Sequence, residues 1–242
     1  RYELTLAPDL ANASFAGHQV IEVDVVEAVA GVVLNAAQVE IDDAEMVGGP
    51  DQLRVPATAV EYDEERERVT LVFDRDLEPG SWKLLTSFEG ILNDDLRGFY
   101  RSTYRDGDGN ESVLATTQFE ATDARRAFPC WDEPDLKATF SVNLEVDDDL
   151  VAISNSAEIG TSPGLDGKVT HHFAETMKMS TYLVAFIVGD FEVRGPVDAG
   201  GVPLRVIHTP GKGNLADFAL EVGAFALQYF ADYYEIPYPG DK

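Results

Sequence analysis

Apolar and polar positions alternate with a period of two through most of the chain up to His208. Ile21, Val23 and Val25 alternate with Glu22 and Asp24. Trp82, Leu84 and Phe88 fall on one parity, with Ser81, Lys83, Ser87 and Glu89 on the other. Phe140, Val142, Leu144 and Val146 alternate with Ser141, Asn143 and Glu145. Successive side chains of a strand point to opposite faces, so each pattern describes a strand with one buried and one wet face. Turn-forming residues separate these runs: Val47-Gly48-Gly49-Pro50, Glu78-Pro79-Gly80, Asp106-Gly107-Asp108-Gly109-Asn110 and Ser162-Pro163-Gly164-Leu165-Asp166-Gly167. Many short strands at hairpin spacing predict an all-β fold, a large antiparallel multi-sheet sandwich or saddle. No internal repeat or low-complexity tract interrupts it.

The period changes after His208. Leu215, Phe218, Ala219, Val222, Phe225, Ala226, Tyr229, Phe230 and Tyr233 follow the i, i+3, i+4 spacing of an amphipathic helix. Asn214 is the expected N-cap, and Pro237 closes the helical region. Thr209-Pro210-Gly211-Lys212-Gly213 is a candidate boundary, dividing the chain into a β domain over 1–208 and a linker plus helix over 209–242. Such a helix normally buries its stripe, so the expectation is that it docks on a segment that follows.

Composition narrows the function classes. A formal net charge of −26, from 44 Asp and Glu against 18 Lys and Arg, argues against nucleic-acid binding, which needs clustered cations. It equally disfavours an anionic membrane surface. An acidic field can attract cationic substrates such as free peptide amines, or it can serve solubility or adaptation to salt. No run approaches the roughly 18 apolar residues a membrane-spanning helix needs, and no basic-then-apolar leader opens the chain. The first residue is Arg1 rather than Met, which leaves a trimmed leader open. The single Cys130 excludes an internal disulfide and favours a reducing, cytoplasmic location.

The densest chemistry lies in Thr117-Gln118-Phe119-Glu120-Ala121-Thr122-Asp123-Ala124-Arg125-Arg126-Ala127-Phe128-Pro129-Cys130-Trp131-Asp132-Glu133-Pro134. This segment resembles, nearly residue for residue, the Gln-x-Glu segment of the M1 family of zinc aminopeptidases, the gluzincins. Tyr2-Glu3-Leu4-Thr5-Leu6, Val33-Leu34-Asn35-Ala36 and Gly98-Phe99-Tyr100-Arg101-Ser102 are similar to N-terminal landmarks of that family, in the expected order. Tyr234-Glu235-Ile236-Pro237-Tyr238-Pro239 resembles the stretch that follows the first helix of its catalytic domain. The resemblance thus spans nearly the whole chain.

Gln118 and Glu120 stand two apart on an extended segment, so both side chains should project to one face. A carboxylate there can accept hydrogen bonds from an α-ammonium, a charge-assisted contact of about 1.5–3 kcal/mol. N-acylated peptides carry no such cation. By resemblance, Glu120 is the anchor for a peptide's free N-terminus and Gln118 helps line the pocket for the first side chain. Glu rather than Gln at the second position favours a plain aminopeptidase over the family's epoxide-hydrolysing branch. On the residues alone, two polar groups on a strand could equally be a solvated face. Asp123 is the expected N-cap of a short turn over Ala124–Ala127. Arg125 and Arg126 are expected to pair with carboxylates, Asp132 or Glu133, or alternatively to bind an anion. Phe99 and Tyr100 read as core aromatics near the pocket rim, and Cys130, with no His near it in sequence, as a structural thiol.

The resemblance implies zinc in the parent enzyme, but its ligands are not encoded here. His18, the His171-His172 pair and His208 form no H-E-x-x-H arrangement, and adjacent histidines on a strand point to opposite faces. None of Met46, Met177 and Met179 is followed by Glu-Asn, so the family's Gly-x-Met-Glu-Asn motif is also missing. The chain therefore reads as the substrate-anchoring N-terminal domain of a zinc aminopeptidase, joined to the start of its catalytic domain, its partner in cis. By itself it should bind no catalytic zinc and turn over no peptide. The alternative is a stand-alone, non-catalytic β-rich binding or scaffold module.

Overall fold

The computed structural model describes residues 1–105, 109–240 and 242. Asp106, Gly107 and Asp108 of the predicted turn lie outside the described residues. The strands are β1 (Tyr2–Asp9), β2 (Ser14–Val25), β3 (Val29–Asn35), β4 (Val39–Gly48), β5 (Leu53–Asp63), β6 (Arg68–Leu77), β7 (Gly80–Ile91) and β8 (Gly98–Arg105). They continue with β9 (Glu111–Gln118), β10 (Phe140–Val146), β11 (Val151–Ser154), β12 (Glu158–Pro163), β13 (Val169–Phe173), β14 (Phe186–Gly189), β15 (Glu192–Asp198) and β16 (Pro203–His208). One α-helix, α1 (Gly213–Tyr234), follows.

Ten strands form one sheet in the order β12-β13-β10-β1-β2-β7-β4-β5-β6-β3. Four more form a second sheet, β11-β14-β9-β8, and β15 pairs with β16 in a hairpin. The all-β reading with a C-terminal helix holds. Among the paired strands described, one pair departs from its antiparallel rule: β1 runs parallel to β10, with Tyr2 opposite Phe140 and Leu6 opposite Leu144.

The alternation seen in the sequence is the burial pattern. Trp82, Leu84 and Phe88 face the core from β7, and Phe140, Val142, Leu144 and Val146 do so from β10. Two glycines make room in the long β2–β7 pair. Gly17 stands opposite Phe88 and Gly90 opposite Phe15. A Cβ on either glycine would come within 2.4 Å of the facing ring (2.3 Å at Gly17, 2.2 Å at Gly90). Rings lie where side chains are missing, so these pairs fix the register. An aromatic chain then joins the two sheets. Phe15 meets Phe99, Phe99 meets Phe186 edge-on at 4.8 Å, and Tyr2 stacks on Phe140 at 5.0 Å.

The helix departs from expectation. Its N-cap position is Lys212, not Asn214, and no side chain caps it. Asn214 lies inside the helix, because the turn at Gly211 (φ +78°) starts the winding earlier than the polar residue suggests. It docks on another face: Ala216 and Leu220 are buried, and a Cβ on Gly223 would lie 2.8 Å from Leu204 of β16. Arg194 of β15 pairs with Asp217 at 2.8 Å. The aromatic stripe instead faces solvent, with Phe218 73% and Phe225 68% exposed. No helix among the described residues is long and apolar enough to cross a membrane.

Candidate functional site

The segment between β9 and β10 crosses from the four-stranded to the ten-stranded sheet, and apolar residues set its path. Phe119 is 2% exposed and meets Phe128 and Phe186 edge-on, at 6.1 and 5.8 Å. Phe128 in turn meets Tyr2 and Phe140. With Phe119 driven inward, its neighbours Gln118 and Glu120 are turned outward, and both are exposed. Gln118 is the last residue of β9, paired with Gly98 of β8; Glu120 lies just past the strand in a turn. Among the described residues, neither side chain takes part in a hydrogen bond or ion pair. The two groups predicted to share a face are therefore both presented to solvent on either side of one buried ring.

The cations nearby in sequence are already engaged. Arg125 donates from Nε to Asp132 Oδ2 at 3.0 Å and from Nη1 to Glu67 Oε2 at 3.3 Å. Arg126 donates from Nε to Asp123 Oδ1 at 2.7 Å, from Nη1 to Gln38 Oε1 at 3.0 Å, and from Nη2 to Glu67 Oε1. Both arginine side chains are 9% exposed. The pairing with Asp132 matches the sequence reading, whereas Glu133 takes no part and Glu67 arrives from the β5–β6 hairpin. Asp123 occupies the N-cap position of the 3-10 turn Ala124–Arg126 but makes no capping bond, because its carboxylate is taken by the Arg126 guanidinium. Asp132 also accepts from Thr181 Oγ1 at 2.7 Å, and its N–H donates to Asn35 Oδ1 at 3.1 Å.

The distant landmarks converge on this segment. The Trp131 N–H donates to the Tyr2 hydroxyl at 3.2 Å, and Asn35 and Cys130 exchange backbone hydrogen bonds of 2.8 and 3.0 Å. Gly98 has φ +69°, and a Cβ there would lie 2.6 Å from Arg126 Cβ, so only glycine fits. Phe99 is fully buried as expected, and Tyr100 half-buried. The Cys130 thiol is completely buried. Desolvation first, and then Asp132, push its pKa well above the ordinary value, which is the reverse of what a nucleophile requires. A cleft of about 870 Å³ opens beside Arg126, lined among others by Gln38, Glu40, Tyr62, Glu67 and Arg68; Gln118 and Glu120 do not line it.

The histidines are dispersed. His172 bridges Asn143 Oδ1 (2.7 Å) and Ser162 Oγ (2.8 Å), while His171 Nδ1 lies 3.4 Å from Glu158 Oε1. His18 faces Ser87, and His208 faces Glu192. Among the described residues no group of three or more His, Cys, Asp or Glu is placed to hold a metal ion, so the residues present do not fit a zinc site. Gln38 and Glu67 escaped the sequence reading. Nothing in the sequence marks them; in the structure both are non-glycine residues in the left-handed region, at φ +57° and +51°.

The candidate site is thus an exposed carboxylate in the turn just past β9, followed in the chain by a buried ion-pair cluster. The Peptidase M1 N-terminal domain family profile matches residues 1–183, and the chain belongs to that family. Over its whole length it is 42% identical to "Aminopeptidase M1" of Arabidopsis thaliana and 39% identical to "Puromycin-sensitive aminopeptidase" of Caenorhabditis elegans. It is 36% identical to "Endoplasmic reticulum aminopeptidase 1" of Rattus norvegicus. The chain spans about a quarter of the length of these relatives (28%, 25% and 26%).

Proposed function

We propose that this chain is the substrate-anchoring domain of an aminopeptidase. Glu120 accepts hydrogen bonds from the α-ammonium of a peptide, and Gln118 lines the space for the first side chain. The observation that carries this reading is the outward, unpaired Glu120 beside a buried Phe119, with Arg125 and Arg126 consumed by other carboxylates. A carboxylate already paired with arginine could not discriminate a free amine from an acylated one; an open one can. Sequence relatives that are named as aminopeptidases supply the reaction class, removal of N-terminal residues from peptides.

On this reading residues 1–208 form the N-terminal β domain, and residues 209–242 are the linker and opening helix of a catalytic domain acting in cis. Zinc and its ligands belong to that further domain, and the 242-residue chain alone is catalytically silent. The location is cytoplasmic, where the single thiol remains reduced. The stand-alone scaffold reading gains nothing from a helix that leaves Phe218, Phe225 and Tyr233 in solvent.

The test is Glu120→Ala and Glu120→Gln in the full-length enzyme carrying this chain. Loss of a contact worth about 1.5–3 kcal/mol lowers kcat/KM on free-amine peptides by roughly 10- to 150-fold. Unchanged kcat/KM in both variants would remove Glu120 from the site.

A further inference from the structure

We infer that Glu67, at the tip of the β5–β6 hairpin, is a positioning residue for Glu120, acting through Arg126 and Asp123. This rests on the anchoring role proposed above and adds a residue 53 positions away in sequence (120 minus 67). The connection can be followed bond by bond. Glu67 Oε1 receives Arg126 Nη2, and Arg126 Nε donates to Asp123 Oδ1 at 2.7 Å. The Asp123 N–H donates to the Phe119 carbonyl at 2.9 Å, and that carbonyl carbon is bonded to the Glu120 nitrogen. The turn that carries Glu120 is thus closed by Asp123, and Asp123 is held by a guanidinium whose direction Glu67 sets.

Glu67 is fastened at both ends of the residue. Its carbonyl accepts the Ala36 N–H at 3.0 Å, and the adjacent Ala37 N–H donates to the Arg125 carbonyl at 3.0 Å. Its second carboxylate oxygen meets Arg125 Nη1 at 3.3 Å. One side chain therefore spans both arginines. The backbone shows the same investment. At φ +51°, Glu67 sits where hairpins ordinarily place glycine or asparagine, and a larger side chain there carries a steric cost. Glycine would relieve that cost and lose the carboxylate. Gln38, at φ +57°, repeats the arrangement from the β3–β4 turn and gives its Oε1 to the same arginine.

If Glu67 were only structural, its variants would change substrate affinity only as far as they change stability. A positioning role separates the two. The experiment compares Glu67→Gln, Glu67→Asp and Glu67→Gly with Glu120→Ala in the full-length enzyme, using an aminoacyl anilide as substrate. KM, kcat and the thermal midpoint are read for each. The expected result is a KM raised about fivefold or more in Glu67→Gln and in Glu67→Gly, with kcat changed less than twofold. Glu67→Gly should keep a midpoint equal to or above that of Glu67→Gln, because it relieves the backbone, and Glu67→Asp should recover part of the KM. As a readout independent of activity, the amide resonances of Phe119, Glu120 and Ala121 in this chain should shift in Glu67→Gln. Wild-type KM in both Glu67→Gln and Glu67→Gly, while Glu120→Ala is impaired, overturns the positioning role and leaves the anchoring role standing. A KM that tracks the midpoint across the series, or unmoved resonances, overturns it as well. An unimpaired Glu120→Ala removes both.

Discussion

Asp132 has a side chain 1% exposed and accepts from Arg125 and Thr181. Asp132→Ala leaves the Arg125 guanidinium buried with a weakened partner set, and should cost about 3–5 kcal/mol in chemical denaturation. Arg125→Met combined with Asp132→Leu should recover most of that loss, since no isolated charge remains. Thr86 offers a contrast. Among the described residues its hydroxyl is buried in β7 without a partner, opposite Gln19, whose own Oε1 is likewise unpartnered while its Nε2 donates to the Pro129 carbonyl at 2.8 Å. Thr86→Val should therefore stabilise the fold by about 1 kcal/mol, and a destabilised variant would contradict this. At this scale the site was partly legible. Gln118 and Glu120 stood out because their segment resembles a known family, and Asp132 because it is close in sequence to the arginines. Glu67 did not, because in the acidic run Asp63-Glu64-Glu65-Arg66-Glu67 nothing local separates it from its neighbours; only the hairpin's approach to Arg126 does.

Among the elements, the strands were readable because a half-buried strand writes its burial directly into a period of two. The helix was readable in existence but not in orientation. Its aromatic residues define one stripe, yet α1 buries Ala216 and Leu220 and brings Gly223, which has no side chain, close to Leu204. A pattern built on large side chains overlooks such a face. Leu220→Ala should accordingly lower stability, by about 2 kcal/mol or more. Phe225→Ser should leave it within about 0.5 kcal/mol, since that ring is already in solvent. Equal losses from the two substitutions would show that the aromatic stripe holds the helix as much as the buried face does.

For the molecule as a whole, the charge of −26 makes self-repulsion a general cost of compactness. Salt shortens the screening length from about 10 Å at 0.1 M to about 3 Å at 1 M, so the thermal midpoint should climb as sodium chloride is raised through that range. A flat or falling midpoint would refute this. Alkali acts in the opposite direction. Burial raises the pKa of the Cys130 thiol and of the Tyr2 phenol above their ordinary values of 9.0 and 10.0. A group whose pKa is raised by folding contributes stability that is complete below its unfolded value and lost above it. Stability should therefore decline from about pH 9 upward, and Cys130→Ala should flatten the first part of that decline.

The parallel pairing of β1 with β10 also governs the order in which the chain can acquire its structure. In the ten-stranded sheet β1 is the joint between β2 on one side and the β10-β13-β12 group on the other. During synthesis the β1–β2 hairpin can form early, but the far edge of β1 waits until Phe140 to Leu144 have left the ribosome. Throughout that interval Tyr2, Leu4 and Leu6 sit on an open strand edge, the exposure that chaperones exist to cover. Such long-range closure places refolding among slow, high-contact-order β proteins, in milliseconds to seconds or longer.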